Sequence, residues 1–423
     1  MATDIADEPR HTRSEVTEHL TVLTVCDEWF PASGGISAFN RYLCRALAQA
    51  GHSVFCLVPS ASSDEHEDAR RCGTRLVAAA ATFDHTTFEA LAGRPVLPDG
   101  VRPTVVVGHA RFTGPMAKAL ADQSYPQATR LHFVHMHPDR IEWGKGDRED
   151  AARTAEQHTI QERELCETAT RTIAVGPLLH EYALSKLTYG PRVADAVQVV
   201  PGFDAMPPVR RQRLGRALIM VLGRVHNENK GLALAAKAVG YAVNQLGHSE
   251  EDLELYLRGV RPGRGADVRR ALLEWSGLPG LTTTIRNYTE NPAAVLADLA
   301  TISLVLMPSF EEDFGLVGWE ALCAGVPVLI SARSGLGTLI RASGLPDDLV
   351  ARVVLDVRKD GAVDVPLWAS HISRVLHNRE AAFRTVEQVL AFMADRYTWA
   401  AAVEVVEDAV RGRQSPALPG NGG

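Results

Sequence analysis

Residues 307–331 read MPSFEEDFGLVGWEALCAGVPVLIS, and this stretch predicts a strand, a loop, a helix and a second strand in succession. The apolar segments 302–307 and 326–330 have the composition of buried strands. Residues 316–324 have helical composition, and Gly325 is a typical helix end. Glu312 falls on the loop and Glu320 about one turn inside the helix. Ligands of parallel α/β sheets bind at the carboxyl ends of the strands, so both acids are expected to face one crevice.

The composition of the chain limits the classes of protein that it can represent. A length of 423 residues is enough for two or three domains. With 46% hydrophobic and 22% charged residues, the chain is typical of a soluble globular protein. A nucleic-acid partner favours a basic domain, and the formal net charge of -7 gives it no support.

The cysteines and the first residues indicate an intracellular setting. The six cysteines form no C-x-x-C pair and no metal-ligand spacing, so we expect buried, reduced thiols and no metal site. Residues 1–19 are polar and lack the apolar core of a signal peptide, and no apolar run approaches membrane-spanning length. The expected location is therefore the cytoplasm, with no transmembrane segment.

A first alternating series of strands and helices begins with a strand at 20–26 and a loop that contains Gly34 and Gly35. The helix that starts at Ile36 has apolar residues at helical spacing, and residues 53–58 form the next strand. Glycines at such a turn let a helix N-terminus meet a phosphate, although Gly-Gly turns are also common in loops that bind nothing. The acidic run 64–68 is interpreted as the solvated first turn of a helix rather than a metal cluster. Further strands are predicted near 104–107, 131–134, 172–175 and 196–200, with helices near 115–122, 155–168 and 178–186.

A second series follows a proline- and arginine-rich stretch at 201–216, which predicts an interdomain linker. Two such series predict an α/β fold of two Rossmann-like domains that face each other across a cleft. The predicted divisions are a tail at 1–19, a domain at 20–205, a linker at 206–216, a domain at 217–395 and a tail at 412–423. The second domain is predicted to contain strands at 217–222, 253–257, 282–286 and 351–355 and helices at 232–245, 266–275, 291–300, 365–377 and 379–394. An amphipathic segment at 399–410 completes the predicted elements.

Basic residues flank a strand-to-helix turn of the second domain. Gly223-Arg224 ends its first strand, and Lys230-Gly231 begins the next helix. Two cations above the sheet edge that carries Glu312 indicate a polyanion site, because arginine and lysine both bind phosphate. The amides of residues 314–316 would be a second phosphate contact, and glutamates accept hydrogen bonds from sugar hydroxyls. Phosphate binders beside hydroxyl binders describe a nucleotide sugar as the ligand.

These residues resemble the signature of the family 4 retaining glycosyltransferases, which have the GT-B fold. Glu312 and Glu320 with the Phe-Gly-Leu turn at 314–316 match the family's most specific motif, and Arg224 and Lys230 match its paired basic residues. Its other features are matched by Gly34-Gly35, Val199-Val200-Pro201, Asp204 and the segment Tyr397-Thr398-Trp399, where such proteins send a last helix, here 396–411, back across the first domain.

The resemblance implies a role for each matched residue. Arg224 and Lys230 would neutralise the leaving diphosphate, while Gly34 and Gly35 would let the backbone approach it. Glu320 would bind the ribose. The donor sugar would be held by Glu312 and by the amides of Phe314, Gly315 and Leu316.

The resemblance also implies a histidine at the end of a strand of the first domain, near the reacting carbon of the sugar. His135 and His137 are the candidates, and the position within the motif favours His137. Both residues would share one face of an extended segment, so either of them can simply pack. His109 is a weaker candidate.

Three departures from the family pattern surround the donor pocket and bear on the identity of the donor. They are Asp313, where glycine is frequent, Gly202-Phe203-Asp204 and Leu257-Arg258-Gly259.

The expected activity is transfer of a hexose-type sugar, from a UDP-sugar by family frequency, to a small-molecule, lipid or glycan acceptor. The resemblance implies that the reaction requires no cofactor, no enzyme nucleophile and no metal. In agreement, the sequence has no metal-binding D-x-D motif. The alternatives are a sugar phosphorylase or epimerase of the same fold and a catalytically silent nucleotide-sugar-binding protein. A dinucleotide dehydrogenase is disfavoured, because no G-x-G-x-x-G opens the first domain.

Overall fold

The computed structural model describes residues 19–31, 34–79, 89–98, 100–138, 150–188, 196–204, 215–223, 228–289 and 291–412. The predicted linker at 206–216 lies almost entirely outside these ranges. The exact domain boundaries therefore stay a prediction.

The first half of the chain forms a parallel seven-stranded sheet. Its strands are β1 Thr21–Val25, β2 Ser53–Val58, β3 Thr74–Ala78, β4 Val105–His109, β5 Thr129–Val134, β6 Arg171–Val175 and β7 Ala196–Val199. They are short and mostly buried, as expected for a parallel sheet covered on both faces. Their order in the sheet is β3-β2-β1-β4-β5-β6-β7. This order reverses between β1 and β4, and the carboxyl ends of these two strands are where a doubly wound sheet leaves a crevice.

The helices of this half cover both faces of the sheet. The acidic run at 64–68 lies in the first turns of a helix, as predicted. The side chains of Ser62 and Glu65 cap the start of this helix reciprocally. The α-helices are Gly35–Gln49, Ser63–Arg71, Ala110–Ala119, Ala151–Thr168 and Pro177–Tyr182, with a 3-10 turn at Glu89–Ala92 and π-helical turns at Leu120–Ser124 and Ala183–Leu187.

The second half forms a parallel six-stranded sheet. Its strands are β8 Ala217–Leu222, β9 Leu253–Val260, β10 Thr282–Asn287, β11 Leu304–Met307, β12 Val328–Ser331 and β13 Val354–Leu355. Their order in the sheet is β10-β9-β8-β11-β12-β13. Its α-helices are Leu232–Leu246, Gly265–Ser276, Pro292–Leu299, Leu316–Cys323, Gly335–Ala342, Asp347–Val353, Gly361–His377 and Arg379–Arg396, with 3-10 turns at Glu228–Lys230 and Glu250–Asp252.

The last helix, Trp399–Arg411, returns to the first half as predicted. The Trp399 ring lies 5.8 Å from that of Tyr42 and 5.7 Å from that of Phe39. Near the other end, a carboxylate oxygen of Glu407 lies 2.9 Å from Nε2 of His52. The predicted architecture, two Rossmann-like halves with a returning helix, is therefore confirmed.

Several elements differ from the sequence prediction. The strand Thr74–Ala78 was not predicted, because this sheet-edge strand alternates buried and exposed residues and contains Arg75. The helix Gly335–Ala342 was missed because Gly335 and Gly337 lower its helix propensity. The helix Asp347–Val353 was also missed, so the prediction of a strand at 351–355 is wrong in its first half, and only Val354–Leu355 pair with β12.

Within the ranges that the structure describes, no helix has both the length and the apolar composition needed to cross a bilayer.

Candidate active site

A cavity of about 1500 Å³ lies between the two sheets and is lined by residues from both halves of the chain. It brings together every predicted donor-binding residue that the structure describes. Arg224 lies outside the described residues, so its predicted role stays a prediction. The predicted residues on the cavity wall are Gly34, Gly35, Lys230, Glu312, Phe314, Gly315, Leu316 and Glu320.

The two charged groups predicted to handle phosphate and sugar lie side by side. Lys230 Nζ donates to Glu312 Oε2, and the Ser309 hydroxyl donates to the same oxygen at 3.2 Å. Lys230 ends a 3-10 turn that packs on the Glu312 loop, since the Phe310 amide donates to the Asn229 carbonyl at 2.8 Å. One ligand can therefore reach both charges.

The backbone of Glu312 is held by a segment that the sequence did not predict as an element. The amide of Glu312 donates to the Arg333 carbonyl at 3.3 Å, and the amide of Gly335 donates to the Glu312 carbonyl at 3.1 Å. The segment leads into the helix Gly335–Ala342, whose start is capped by the Ser334 side chain. The backbone hydrogen bonds of Arg333 and Gly335 thus hold the loop that carries Glu312, and Lys230 holds its side chain.

Two helix N-termini open onto the cavity. Among the described residues, neither the helix Gly35–Gln49 nor the helix Leu316–Cys323 has a side-chain cap on its first amides. Gly315 starts the second helix with a φ of 106°, a left-handed conformation that favours glycine. Uncapped amides at a helix start are donors for an anionic group.

The two helix starts approach each other across the cavity. A Cβ on Gly35 would lie 2.5 Å from Cδ1 of Leu316. A larger residue at position 35 would therefore require the Leu316 side chain to move, which the glycine avoids.

Glu320 occupies an apolar part of the wall. Burial raises the pKa of its carboxyl group to about 7. Beside it, the pKa of Tyr42 is raised by burial and, in second place, by the charge of Glu320. In its ionised form this carboxyl group only accepts hydrogen bonds, and in its protonated form it can also donate one.

The two candidate histidines occupy different environments. His135 lines the cavity, and its Nε2 lies 2.9 Å from Nδ1 of His109. The centroid of the His137 ring instead lies 4.1 Å from that of Tyr182, and its Nδ1 forms a hydrogen bond with the carboxylate of Asp313. Of the two, His135 therefore reaches the cavity wall, whereas the spacing of the motif favoured His137.

Asp313 links the two halves of the molecule. Its Oδ2 accepts from the backbone amide of His137 at 3.0 Å, and its Oδ1 bonds Nδ1 of the same residue. The neighbouring Phe314 packs against Gly176 at the start of the helix Pro177–Tyr182. The sequence marked Asp313 only as a departure from a family pattern, because a partner 176 positions away leaves no local signal.

Hydrogen bonds to the Asp68 carboxylate hold together the cavity wall of the first half. Arg41 bonds both carboxylate oxygens of Asp68, at 2.6 and 2.7 Å, and Nε1 of Trp29 donates to Asp68 at 2.9 Å. The helix Ser63–Arg71 is thereby tied to the loop after β1. Sequence reasoning interpreted Asp68 as solvated, although it anchors the part of the cavity wall that the helix Ser63–Arg71 forms.

Within the described part of the chain, one cluster of metal-ligand residue types occurs, and it lies away from the cavity. His132, Glu162 and Cys166 are buried, and Nε2 of His132 lies 3.0 Å from a carboxylate oxygen of Glu162. His132 points to the opposite face of β5 from Phe133. Burial and the charge of Glu162 raise the pKa of the Cys166 thiol. None of the three residues lines the cavity between the sheets.

Two parallel sheets that close on a cleft, with a last helix returning to the first sheet, define a protein of the GT-B glycosyltransferase class. Solved structures share this fold along nearly the whole chain. Sucrose-phosphate synthase from Thermosynechococcus elongatus has a TM-score of 0.66 at 19% identity, covering 93% of this chain and 99% of that one. HepE from Anabaena, solved with UDP and glucose, has a TM-score of 0.65 at 12% identity, covering 93% of this chain and 100% of that one.

The chain belongs to the family described as family 4 glycosyltransferases in conflict systems, whose model matches residues 23–406. Relatives of known name agree with this assignment. A D-inositol 3-phosphate glycosyltransferase from Corynebacterium kroppenstedtii is 26% identical over 227 residues, which are 52% of this chain and 47% of that protein. A glycogen synthase from Mycobacterium tuberculosis is 25% identical over 435 residues, covering 94% of this chain and 97% of that protein.

Proposed function

We propose that the protein is a retaining glycosyltransferase that moves a hexose-type sugar from a nucleotide-diphosphate sugar to an acceptor hydroxyl without a metal ion. A UDP-sugar is the favoured donor. The observation that carries the proposal is the meeting of Lys230, Glu312 and the uncapped helix start at Gly315 on one cavity wall, opposite Gly35. A cation and free amides suit a diphosphate, and a carboxylate suits sugar hydroxyls.

In this proposal different residues of the cavity wall bind the diphosphate, the sugar and the ribose. Lys230 and the amides at both helix starts hold the diphosphate, with Arg224 as a further cation. Glu312 and the amides of residues 314–316 hold the sugar, and His135 contacts it from the other half. Glu320 accepts hydrogen bonds from the ribose. Uridine diphosphate complexes of the HepE fold relative support the choice of donor.

In the proposed reaction, the bond between the anomeric carbon and the β-phosphate oxygen breaks, and the electron pair stays on the diphosphate. The charge that develops there is stabilised by Lys230 and by fixed amide dipoles, which need no reorganisation during the step. The acceptor oxygen then bonds the anomeric carbon on the same face, and its proton passes to the leaving phosphate oxygen. This route requires no enzyme nucleophile.

The acceptor enters on the side of the first half, where the cavity is walled by the loop after β1 and the helix Ser63–Arg71. We propose a small molecule, a lipid or a glycan as the acceptor. The ion pair between Arg41 and Asp68 keeps this wall in place and neutralises both side chains.

The test is a panel of UDP-, GDP- and ADP-sugars, each scored for a rise in melting temperature and for slow hydrolysis in EDTA. A donor that binds the folded state stabilises it by mass action, so UDP-sugars are expected to give the largest rise. Hydrolysis that EDTA abolishes and Mg²⁺ restores would contradict the metal-independent mechanism. Binding without turnover would indicate a silent sugar-nucleotide binder, and release that requires inorganic phosphate would indicate a phosphorylase.

The raised pKa of Glu320 predicts pH-dependent nucleotide binding. If the ribose binds the carboxylate, the carboxyl group must lose its proton. Below its folded-state pKa of about 7, the Kd for UDP is then expected to rise by up to about tenfold per pH unit. Above that pKa this contribution becomes flat. Calorimetry at several pH values measures the slope.

The matched control for this experiment is Glu320→Gln, which keeps the shape of the side chain and cannot titrate. UDP has a phosphate titration of its own, but this is common to both proteins and cancels in the comparison. Equal slopes in the two proteins would show that Glu320 does not bind the ribose.

A further inference from the structure

We propose that His109 and Asn40 are positioning residues that hold His135 in a single neutral tautomer, with Nδ1 left as a hydrogen-bond acceptor for a ligand in the cleft. The inference rests on the proposed function only for the identity of that ligand. The hydrogen-bond chain itself belongs to the free protein.

The three side chains form a continuous chain from the helix Gly35–Gln49 to the cavity. Nε2 of His109 lies 3.0 Å from Oδ1 of Asn40, and Nδ1 of His109 lies 2.9 Å from Nε2 of His135. Asn40 and His109 are both 0% exposed, whereas His135 lines the cavity. Water therefore does not compete for the inner two links.

The direction of the chain follows from what each atom can donate. An amide oxygen only accepts, so Nε2 of His109 carries the proton. A neutral imidazole has one ring proton, so Nδ1 of His109 accepts from Nε2 of His135. Nδ1 of His135 is then the unprotonated nitrogen.

Two thiols contact the Asn40 amide. Its Nδ2 donates to Sγ of Cys56 at 3.4 Å, and Sγ of Cys44 donates to its Oδ1 at 3.7 Å. A thiol can donate as well as accept, so both contacts are compatible with this orientation of the amide. Both cysteines are buried, so they help to enclose the amide.

Both imidazoles are also kept neutral and fixed in place. Burial, with a smaller effect of His132, lowers the pKa of His109 to about 3. Burial lowers the pKa of His135 well below its usual value, with further effects of His109 and His132. The ring of His135 lies 5.1 Å from that of Phe39 in an edge arrangement, and 6.2 Å from that of Phe133 in a stacked one.

The consequence is that His135 presents a hydrogen-bond acceptor, and not a donor, to the cavity. A neutral imidazole with a bare Nδ1 accepts a hydrogen bond from a hydroxyl group of a donor sugar. If the chain were absent, the ring could present either a donor or an acceptor, and the hydroxyl would lose a fixed partner.

The test is nitrogen NMR of protein labelled with ¹⁵N-histidine, which reports the tautomer of each ring directly. His135 is identified by the loss of its signals in His135→Gln. In the unmodified protein at neutral pH we expect His135 as one tautomer, protonated at Nε2. In His109→Phe, which keeps an aromatic ring in place, we expect this single tautomer to be lost. Asn40→Ala removes the first acceptor and is expected to have the same effect, so it decides the question if His109→Phe does not fold.

The matched control is His248→Gln, in the second half of the chain, where Nε2 of His248 lies 2.8 Å from the hydroxyl of Ser373. It should leave the His135 signals unchanged. An Nδ1-protonated or charged His135 in the unmodified protein, or an unchanged tautomer in the folded variants, would overturn the proposal.

UDP-glucose serves as the probe of the ligand side. If the two neutral tautomers become equally populated, only half of the protein presents the acceptor, which predicts a Kd about twofold higher in the folded variants than in the unmodified protein. A correct tautomer in a protein that does not bind UDP-glucose would support the chain and count against the proposed donor. The two proposals therefore fail separately.

Discussion

Replacement of Lys230 with alanine is expected to lower kcat by about 100- to 1,000-fold, the effect of removing one charged or hydrogen-bonding group that stabilises a developing anion. Lys230 lies against Glu312 at the cavity and is the cation nearest to that carboxylate among the described ion pairs. Its loss removes the positive charge proposed to meet the leaving diphosphate. Initial rates with saturating donor measure the change.

Lys237→Ala is the matched control, since Lys237 is exposed on the helix Leu232–Leu246. Its rate should stay within about twofold of that of the unmodified protein, because Lys237 is exposed and does not line the cavity. The melting temperatures of the two variants separate a catalytic loss from unfolding. A near-normal kcat in Lys230→Ala would remove this residue from the diphosphate site.

Replacement of Asp313 with alanine is the second change with a large expected effect. The two hydrogen bonds from His137 cross between the halves of the molecule, and bonds to a charged group contribute about 1.5–3 kcal/mol each. Their loss is expected to favour a more open arrangement and to lower kcat/KM by about 10- to 100-fold. Small-angle scattering should show a larger radius of gyration for the variant, alongside the change in rate.

Glu311→Ala is the control for the same loop. The carboxylate of Glu311 bonds only residues of the second half among its described ion pairs, Arg333 at 3.5 Å and Lys359 at 3.2 Å. Its removal should therefore leave the scattering curve unchanged. Asp313→Asn should fall between the two, because an amide oxygen still accepts from the His137 backbone. If Asp313→Ala changes neither the rate nor the scattering, the contact does not contribute to closure.

The two predictions address adjacent residues with different tasks. Glu312 is fixed by Lys230 and by the segment before the helix Gly335–Ala342, both within the second half. Asp313 is fixed by His137 in the first half. Closure of the cleft is thus linked through one peptide bond to the position of the residue proposed to hold the sugar.

Much of the site could be predicted from the sequence because it depends on local order. The spacing of Glu312 and Glu320 around a glycine turn sets both acids at one strand edge, whatever the rest of the chain does. The same holds for Lys230 at a strand-to-helix turn and for Gly35 at the first helix. The alternation of strands and helices also predicted the two parallel sheets, and only elements with exposed or glycine-rich sequences, such as Thr74–Ala78 and Gly335–Ala342, escaped notice.

Other properties of the site were decided by the tertiary structure alone. The sequence placed His135 and His137 on one extended segment and could not separate them, since their difference comes from His109 on β4 and Asp313 in the other half. The pKa of Glu320 near 7 depends on burial, which no local pattern reports. The sequence by itself determined which chemical groups reach the cleft. The spacing of a few neighbouring residues fixes the place of each group at a strand end or a helix start. The tertiary structure decided how those groups are charged, paired and oriented, because these properties arise from contacts between residues far apart in the chain.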